Sequence, residues 1–257
     1  IDPTVRKKEF QLLHEIGIKG IKVDFFPGDG QSVMKYQQDI LEDAAINDLM
    51  VNFHGSTFPK GWTRTYPNLM STEAVKGFEY RTFKQVDEDI AANHCCMLPF
   101  TRNVVAPMDF TPVCFSEIKN IKRTTSNAFE LALSVIFESG IQHFVEIPSG
   151  MKKVPEYVQN FLSGVPVAWD EVRFIDGYPG EYVVIARKKG DKWYIAGING
   201  KKEPIILNID ISFMRQHEIN IITDGQNNRS FSIDKIDASK KHHIDVKINS
   251  NGGFVLY

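Results

Sequence analysis

The sequence predicts an α/β chain that turns all-β partway along, and three observations carry this. Up to residue 164, segments with helical spacing alternate five times with short apolar, β-branched runs, a pattern that argues for parallel strands joined by helical crossovers, as an open sheet or a barrel. From residue 165 onward the pattern is period-two alternation broken by turn residues, as antiparallel strands require. At 257 residues the chain can bury one large core or two ordinary ones. The expected domains are therefore residues 1–164 and 165–257.

Each element follows in order. A helix is expected around residues 4–16, and "IKGIKVDFF" follows as the first strand. "SVMKYQQDILEDAAIND" sets Val33, Tyr36, Gln37, Ile40, Leu41 and Ala44 along one side at helical spacing, a face that should pack on a sheet. "LMVNFHG" and "NLMSTE" read as the second and third strands, and a helix over residues 81–92 is expected to turn Phe83, Val86 and Ile90 inward. "NVVAPMD" and "HFVEIP" are the fourth and fifth strand candidates, separated by a helix in "TSNAFELALSVIFESG" that Gly140 should stop. In the β part, "EYVVIARKKGDKWYIAGING" reads as two strands joined by a "KKGDK" hairpin; "PIILNIDISF", "EINIITDG", "IDVKINS" and "GGFVLY" continue it.

Composition excludes several classes of partner. The chain has 30 basic and 32 acidic residues with no long run of either sign, which gives no electrostatic reason to expect nucleic acid or an anionic membrane. No apolar run is long enough to cross a bilayer, and the start lacks Met and any signal-like pattern, so the chain reads as cut from something longer. Cys95, Cys96 and Cys114 are odd in number, without metal-ligand spacing, and leave the redox compartment open. A small or neutral molecule is the expected partner.

In parallel α/β architectures functional groups gather at the carboxyl ends of the strands. Here Asp24 ends the first strand, His54 the second, Glu73 the third and Asp109 the fourth, while Glu146 lies in the fifth. An aspartate in that place also suits a turn or a helix cap, and at this level both readings of Asp24 stand. The loop "HGSTFPKGWTRTYPNLMSTEAVKGFEY" mixes Trp62, Tyr66, Phe78 and Tyr80 with Arg64, Asn68, Glu73 and Glu79. That mixture suits a sugar, whose ring faces are apolar and whose rim is hydroxylated. Glycoside hydrolysis needs two carboxylates flanking the scissile bond, and Asp24 with either Glu73 or Glu79 meets that need. The β part is expected to pack against the first domain, with an appended carbohydrate-binding role as the alternative.

Three long motifs, "GIKVDFFPGDGQ", "VNFHGSTFPKGWTRTYPNLMSTEAVKGFEY" and "LPFTRNVVAPMDFTP", together resemble the catalytic barrel of glycoside hydrolase family 97. This family includes α-glucosidases and α-galactosidases, mostly from gut bacteria of the Bacteroides type. The resemblance covers roughly residues 1–150, and the β tail agrees in kind with the family's small C-terminal domain. It implies a (β/α)8 barrel lacking its first strands, with about five βα units present, followed by a small antiparallel β-sandwich. The family's N-terminal β-sandwich and first three barrel strands have no counterpart in these residues. That missing region is expected to cover the open barrel, and a chain limited to these residues is expected to be inactive or impaired. Uncovered strand edges and apolar helix faces otherwise demand a partner.

The family divides by mechanism. Inverting members carry a glutamate directly after the histidine that corresponds to His54, and a glycine where retaining members carry an aspartate nucleophile. This chain has Gly55 after His54, and it has Asp24. Both point to the retaining branch, which is associated with α-galactosidase activity. The resemblance then implies Asp24 as nucleophile and Glu79 as general acid and then base, with carboxyl groups about 5–5.5 Å apart rather than the roughly 6.5–9.5 Å of inverting enzymes. Lys22 shares a strand face with Asp24 and is expected to keep it charged and to bind a sugar hydroxyl. Glu73, six residues before Glu79, is implied as a ligand of Ca2+. His54, Arg64 and Asp109 are the remaining substrate-binding candidates; Arg102 and Asn68 are read as loop ties and Asp29 as a turn residue. The expected partner is an oligosaccharide, with no nucleic acid and no membrane, in the periplasm or outside the cell. The alternatives are an α-glucosidase, or a non-catalytic carbohydrate-binding or interaction chain.

Overall fold

The structure is a computed structural model that describes residues 2–214 and 216–257, the side chain of Lys240 apart. It forms two compact units: Ile1–Val75 with Val105–Phe110 and Ser139–Ile141, and Lys76–Val104 with Thr111–Glu138 and Gln142–Tyr257. It is mixed α/β, with antiparallel sheets in its C-terminal part.

In the first unit, helix α1 (Pro3–Glu15) starts where Asp2 accepts the amide N–H groups of Thr4 and Val5 at 2.8 and 3.3 Å, with proline at the first helical position. Strand β1 (Gly20–Val23), helix α2 (Gln31–Ile46), β2 (Met50–Phe53) and β3 (Leu69–Thr72) follow. The strands are parallel in the order β1-β2-β3, with α2 as the crossover between β1 and β2. As its spacing predicts, α2 buries Gln37, Ile40, Leu41 and Ala44, with Val33 and Tyr36 half-buried. The apolar members join Phe10, Leu49, Val51, Phe53 and Leu69 in one core. Asp43, also buried on α2, takes the guanidinium of Arg6 from α1 at 2.6 and 2.8 Å. Stranding one partner of such a buried pair costs about 3–5 kcal/mol, so the pair fixes how the two helices meet.

The fourth strand shrinks to a single parallel bridge between Met108 and Thr72. Residues 103–105 of "NVVAPMD" are helical, and Pro107 has no N–H to give a ladder.

In the second unit the helix expected over residues 81–92 is broken into α3 (Phe78–Arg81), α4 (Gln85–Asp89) and α5 (Ala91–Met97). Lys84 is extended at φ −145°, which resets the helical phase. Phe83, Val86 and Ile90 are consequently 61, 62 and 49% exposed instead of inward. Arg81 and Glu88 occupy the interior and pair at 2.7 Å. After α6 (Arg102–Val105), the fully buried α7 (Asn127–Ile136) is capped by Ser126, whose hydroxyl accepts the Phe129 N–H at 3.0 Å. It ends at Ile136 with Phe137 extended, so Gly140 is not its stop. "HFVEIP" forms no strand: Val145 and Glu146 each donate one N–H, at 3.0 Å, to Pro112 and Val113. Left-handed backbone at Thr111 and Val113, φ 54 and 71°, prevents an extended partner.

Helices α8 (Pro148–Met151) and α9 (Glu156–Gly164) lead into β4 (Glu171–Tyr178), β5 (Tyr182–Lys189), β6 (Lys192–Asn199), β7 (Ile205–Asp210), β8 (Glu218–Asp224), β9 (Phe231–Asp237), β10 (His243–Ile248) and β11 (Gly253–Leu256). Six form an antiparallel sheet in the order β4-β5-β6-β11-β8-β9, and β7 pairs with β10. The β5–β6 hairpin turns at "KKGDK", where Gly190 has φ 57°. Both sheets share a core that includes Val184, Ile195, Val246 and Phe254. Helix α7 lies so close to β11 that a Cβ on Gly253 would stand 2.7 Å from the Phe129 Cα, so only glycine fits. No helix among the described residues is long and apolar enough to cross a membrane.

Candidate active site

In the first unit four backbone hydrogen bonds place one polar residue just past each strand end. The His54 N–H donates to Val23 at 2.8 Å, Phe26 to Gly55 at 3.2 Å, Glu73 to Phe53 at 2.8 Å and Asp109 to Thr72 at 3.1 Å. Asp24, His54, Glu73 and Asp109 thereby emerge from the same end of the parallel strands.

Asp109 is the centre of the cluster. Only 2% exposed, its Oδ2 takes both the Lys22 ammonium and His54 Nδ1 at 2.7 Å. A carboxylate beside an ammonium can only accept, so Nδ1 carries the proton and the imidazole is held in one orientation. His54 Nε2 lies 3.5 Å from Glu73 Oε1, while Glu73 Oε2 accepts the Gly55 N–H at 2.7 Å. Lys22 thus meets Asp109 directly, where sequence spacing had set it beside Asp24.

Asp24 is exposed and accepts the N–H of Phe25 at 2.6 Å. Phe25 is itself 90% exposed and left-handed at φ 66°, a costly conformation for an aromatic residue. Against this carboxylate lies Gly55, φ 52°, where a Cβ would stand 2.6 Å from Asp24 Oδ1 and 3.0 Å from the Phe25 nitrogen. The carboxylate and a side chain at position 55 compete for one space. Asp24 lines a cavity of about 460 Å³ with Phe25, Phe26, Ser32 and Tyr36.

Arg64, in the turn Trp62–Arg64, lines a different cavity of about 320 Å³ with Phe58, Trp62 and the buried Gln37. Glu79 belongs to the second unit, exposed in the first turn of α3. Asn68 is a tie, donating to the carbonyls of Leu41 and Leu49 at 3.0 and 3.4 Å. Arg102 is 6% exposed, and burial pushes its guanidinium down to about 10. Glu146 accepts the N–H groups of Phe115 and Ser116 at 2.6 and 2.7 Å, which makes it a loop anchor. Asp29 is exposed in a bend.

Calcium takes six to eight oxygen ligands. In the first unit Glu73 faces a backbone N–H and an imidazole, and position 55 offers no carboxylate. Glu73 supplies carboxylate oxygens of that kind, beside the His54 imidazole.

Two buried polar groups were not foreseen. Ser71 Oγ donates to Asn52 Oδ1 at 3.0 Å between β2 and β3, and Arg81 sits among Glu88, Thr125 and Glu130. The signal for the second was Glu130 within an otherwise apolar helix, since a buried carboxylate needs a partner.

A family model described as "Glycoside hydrolase 97" matches residues 3–75, and one described as "Glycosyl-hydrolase 97 C-terminal, oligomerisation" matches residues 168–257. A "Probable retaining alpha-galactosidase" of Streptomyces bingchenggensis is 42% identical over 75% of this chain and 29% of its own length. A "Retaining alpha-galactosidase" of Bacteroides thetaiotaomicron is 32% identical over 94% of this chain and 38% of its own. The chain therefore spans about a third of the length of these curated relatives. A solved β-arabinopyranosidase is 37% identical with a TM-score of 0.93, over 100% of this chain and 42% of that one. Matched at both ends by models of one family, this protein belongs to glycoside hydrolase family 97.

Proposed function

We propose that the native protein hydrolyses terminal α-linked galactose from an oligosaccharide with retention of configuration, on a (β/α)8 barrel of which this chain supplies the later strands. In this reading an oxygen of Asp24 bonds to the anomeric carbon while Glu79 gives its proton to the departing glycosidic oxygen. Glu79, now a carboxylate, takes a proton from water as that water's oxygen bonds to the anomeric carbon and releases Asp24. Lys22 and His54, held by Asp109, offer hydrogen bonds to the sugar's hydroxyls, and Arg64 serves substrate through its own cavity.

The observation that carries the proposal is the contact between Gly55 and Asp24. Inverting relatives are expected to have glutamate at 55 and glycine at 24; here the bare Gly55 Cα leaves the space that the Asp24 carboxylate fills. The names of the two curated relatives support the same branch.

The β-arabinopyranosidase neighbour supports a second reading. β-L-Arabinopyranose has the ring stereochemistry of α-D-galactose without the exocyclic carbon, so the same carboxylates would serve both. Turnover of nitrophenyl α-galactoside, β-L-arabinopyranoside and α-glucoside by the native enzyme separates the readings. The galactoside is expected to show the highest kcat/KM. A higher value for the arabinoside favours the second reading, and a higher value for the glucoside contradicts both.

A further inference from the structure

We propose that Arg81 is a positioning residue for Glu79, fixing the acid/base through the α3 backbone; this rests on the role just proposed for Glu79. Helix α3 has four residues and no side-chain cap at Gly77. One turn cannot persist alone, because nucleation costs more than its few hydrogen bonds return. Its orientation must come from tertiary anchors, and its two inward residues are Phe78 and Arg81, 2 and 4% exposed. The Arg81 guanidinium stacks on the Phe78 ring at 4.7 Å.

The guanidinium ties α3 to three other segments. Nε donates to Glu88 Oε2 at 2.7 Å, and Nη2 donates to Glu130 Oε1 at 2.8 Å and to Thr125 Oγ1 at 3.0 Å. Glu88 is on α4, Glu130 on α7, and Thr125 precedes the α7 cap. Both glutamates are fully buried, and Glu88 Oε1 also accepts the Thr124 N–H at 2.7 Å. Burial alone would lower the pKa of Arg81, but Glu130 and Glu88 outweigh it and hold the group above its ordinary value. The cation is therefore permanent. On the outer face, the Lys76 ammonium lies 4.5 Å from the Tyr80 ring, and Thr82 Oγ1 donates to the Glu79 carbonyl at 2.7 Å.

A buried ion cluster is weak evidence for stability, since apolar replacements often serve as well. What it supplies is direction: a planar fork of donors sets angles that a lysine's single ammonium cannot. General acids work only within about 2.6–3.2 Å of the atom they protonate, and a displacement of about 1 Å can cost on the order of 10²-fold.

The test compares Glu79→Ala, Arg81→Lys and Thr125→Val in the native enzyme on 2,4-dinitrophenyl and phenyl α-galactosides, reading kcat/KM and the thermal midpoint. The dinitrophenolate leaves without protonation; phenolate needs the acid. Glu79→Ala is expected to lose on the order of 10²-fold or more on the phenyl substrate and little on the other. Arg81→Lys should show the same selectivity at roughly tenfold or more, and Thr125→Val a smaller loss in the same direction. Equal losses on both substrates for Arg81→Lys, beside a selective Glu79→Ala, would overturn the positioning role. If Arg81→Lys does not fold, Thr125→Val decides by the same criterion. A Glu79→Ala variant without selectivity would instead overturn the acid/base assignment itself.

Discussion

Asp24→Ala is expected to lower kcat for nitrophenyl α-galactoside by about 10⁴-fold or more, because it removes the atom that forms the covalent intermediate. Stability should hardly change. Asp24 is exposed, and the hydrogen bonds that join the β1 and β2 ends around it, His54 to Val23 and Phe26 to Gly55, use backbone groups only. Surface substitutions of this kind usually stay within about 0.5 kcal/mol. A far lower kcat with an unaltered unfolding midpoint is therefore the expected pair of results, and added azide should restore turnover by attacking the vacated face. Unchanged kcat would remove Asp24 from the chemistry.

Gly55→Glu is expected to cost activity almost as heavily, by on the order of 10²–10³-fold, through a displacement of Asp24 of about 1 Å or more. The new Cβ would stand 2.6 Å from Asp24 Oδ1 in a backbone held at φ 52°. The carboxylate must move, and a second negative charge beside it opposes its return. Gly55→Ala separates the two effects, since it keeps the steric conflict without the charge and strains the backbone by roughly 1–2 kcal/mol. Its kcat should fall between those of the native enzyme and Gly55→Glu. Native-like kcat in Gly55→Ala would mean that the close approach does not set the position of Asp24.

Much of the first unit was legible in the sequence because one face of each element is decided locally. The buried stripe of α2 and the polar residues past β1, β2 and β3 follow from periods of 3.6 and 2. What was hidden depends on distant partners. Phe83, Val86 and Ile90 have helical spacing, yet the interior is taken by Arg81 and Glu88, whose partners Thr125 and Glu130 lie far along the chain. Strands β4 and β9 were missed because they are the two edges of their sheet and alternate weakly between apolar and polar. "HFVEIP" has the composition of a strand, but the residues it runs beside are left-handed at Thr111 and Val113.

The site was legible to the same depth. Strand ends marked Asp24, His54, Glu73 and Asp109, but local spacing set Lys22 beside Asp24 and said nothing of Asp109, which gathers Lys22 and His54 from two strands. Gly55 was visible as a residue type; the steric reason for it needed the position of the Asp24 carboxylate.

Retention is tested most directly by proton NMR of the sugar first released from nitrophenyl α-galactoside by the native enzyme, recorded before mutarotation. The α anomer appearing first is the predicted result. The β anomer appearing first would mean a single displacement by water, and would contradict the assignment of Asp24 as nucleophile.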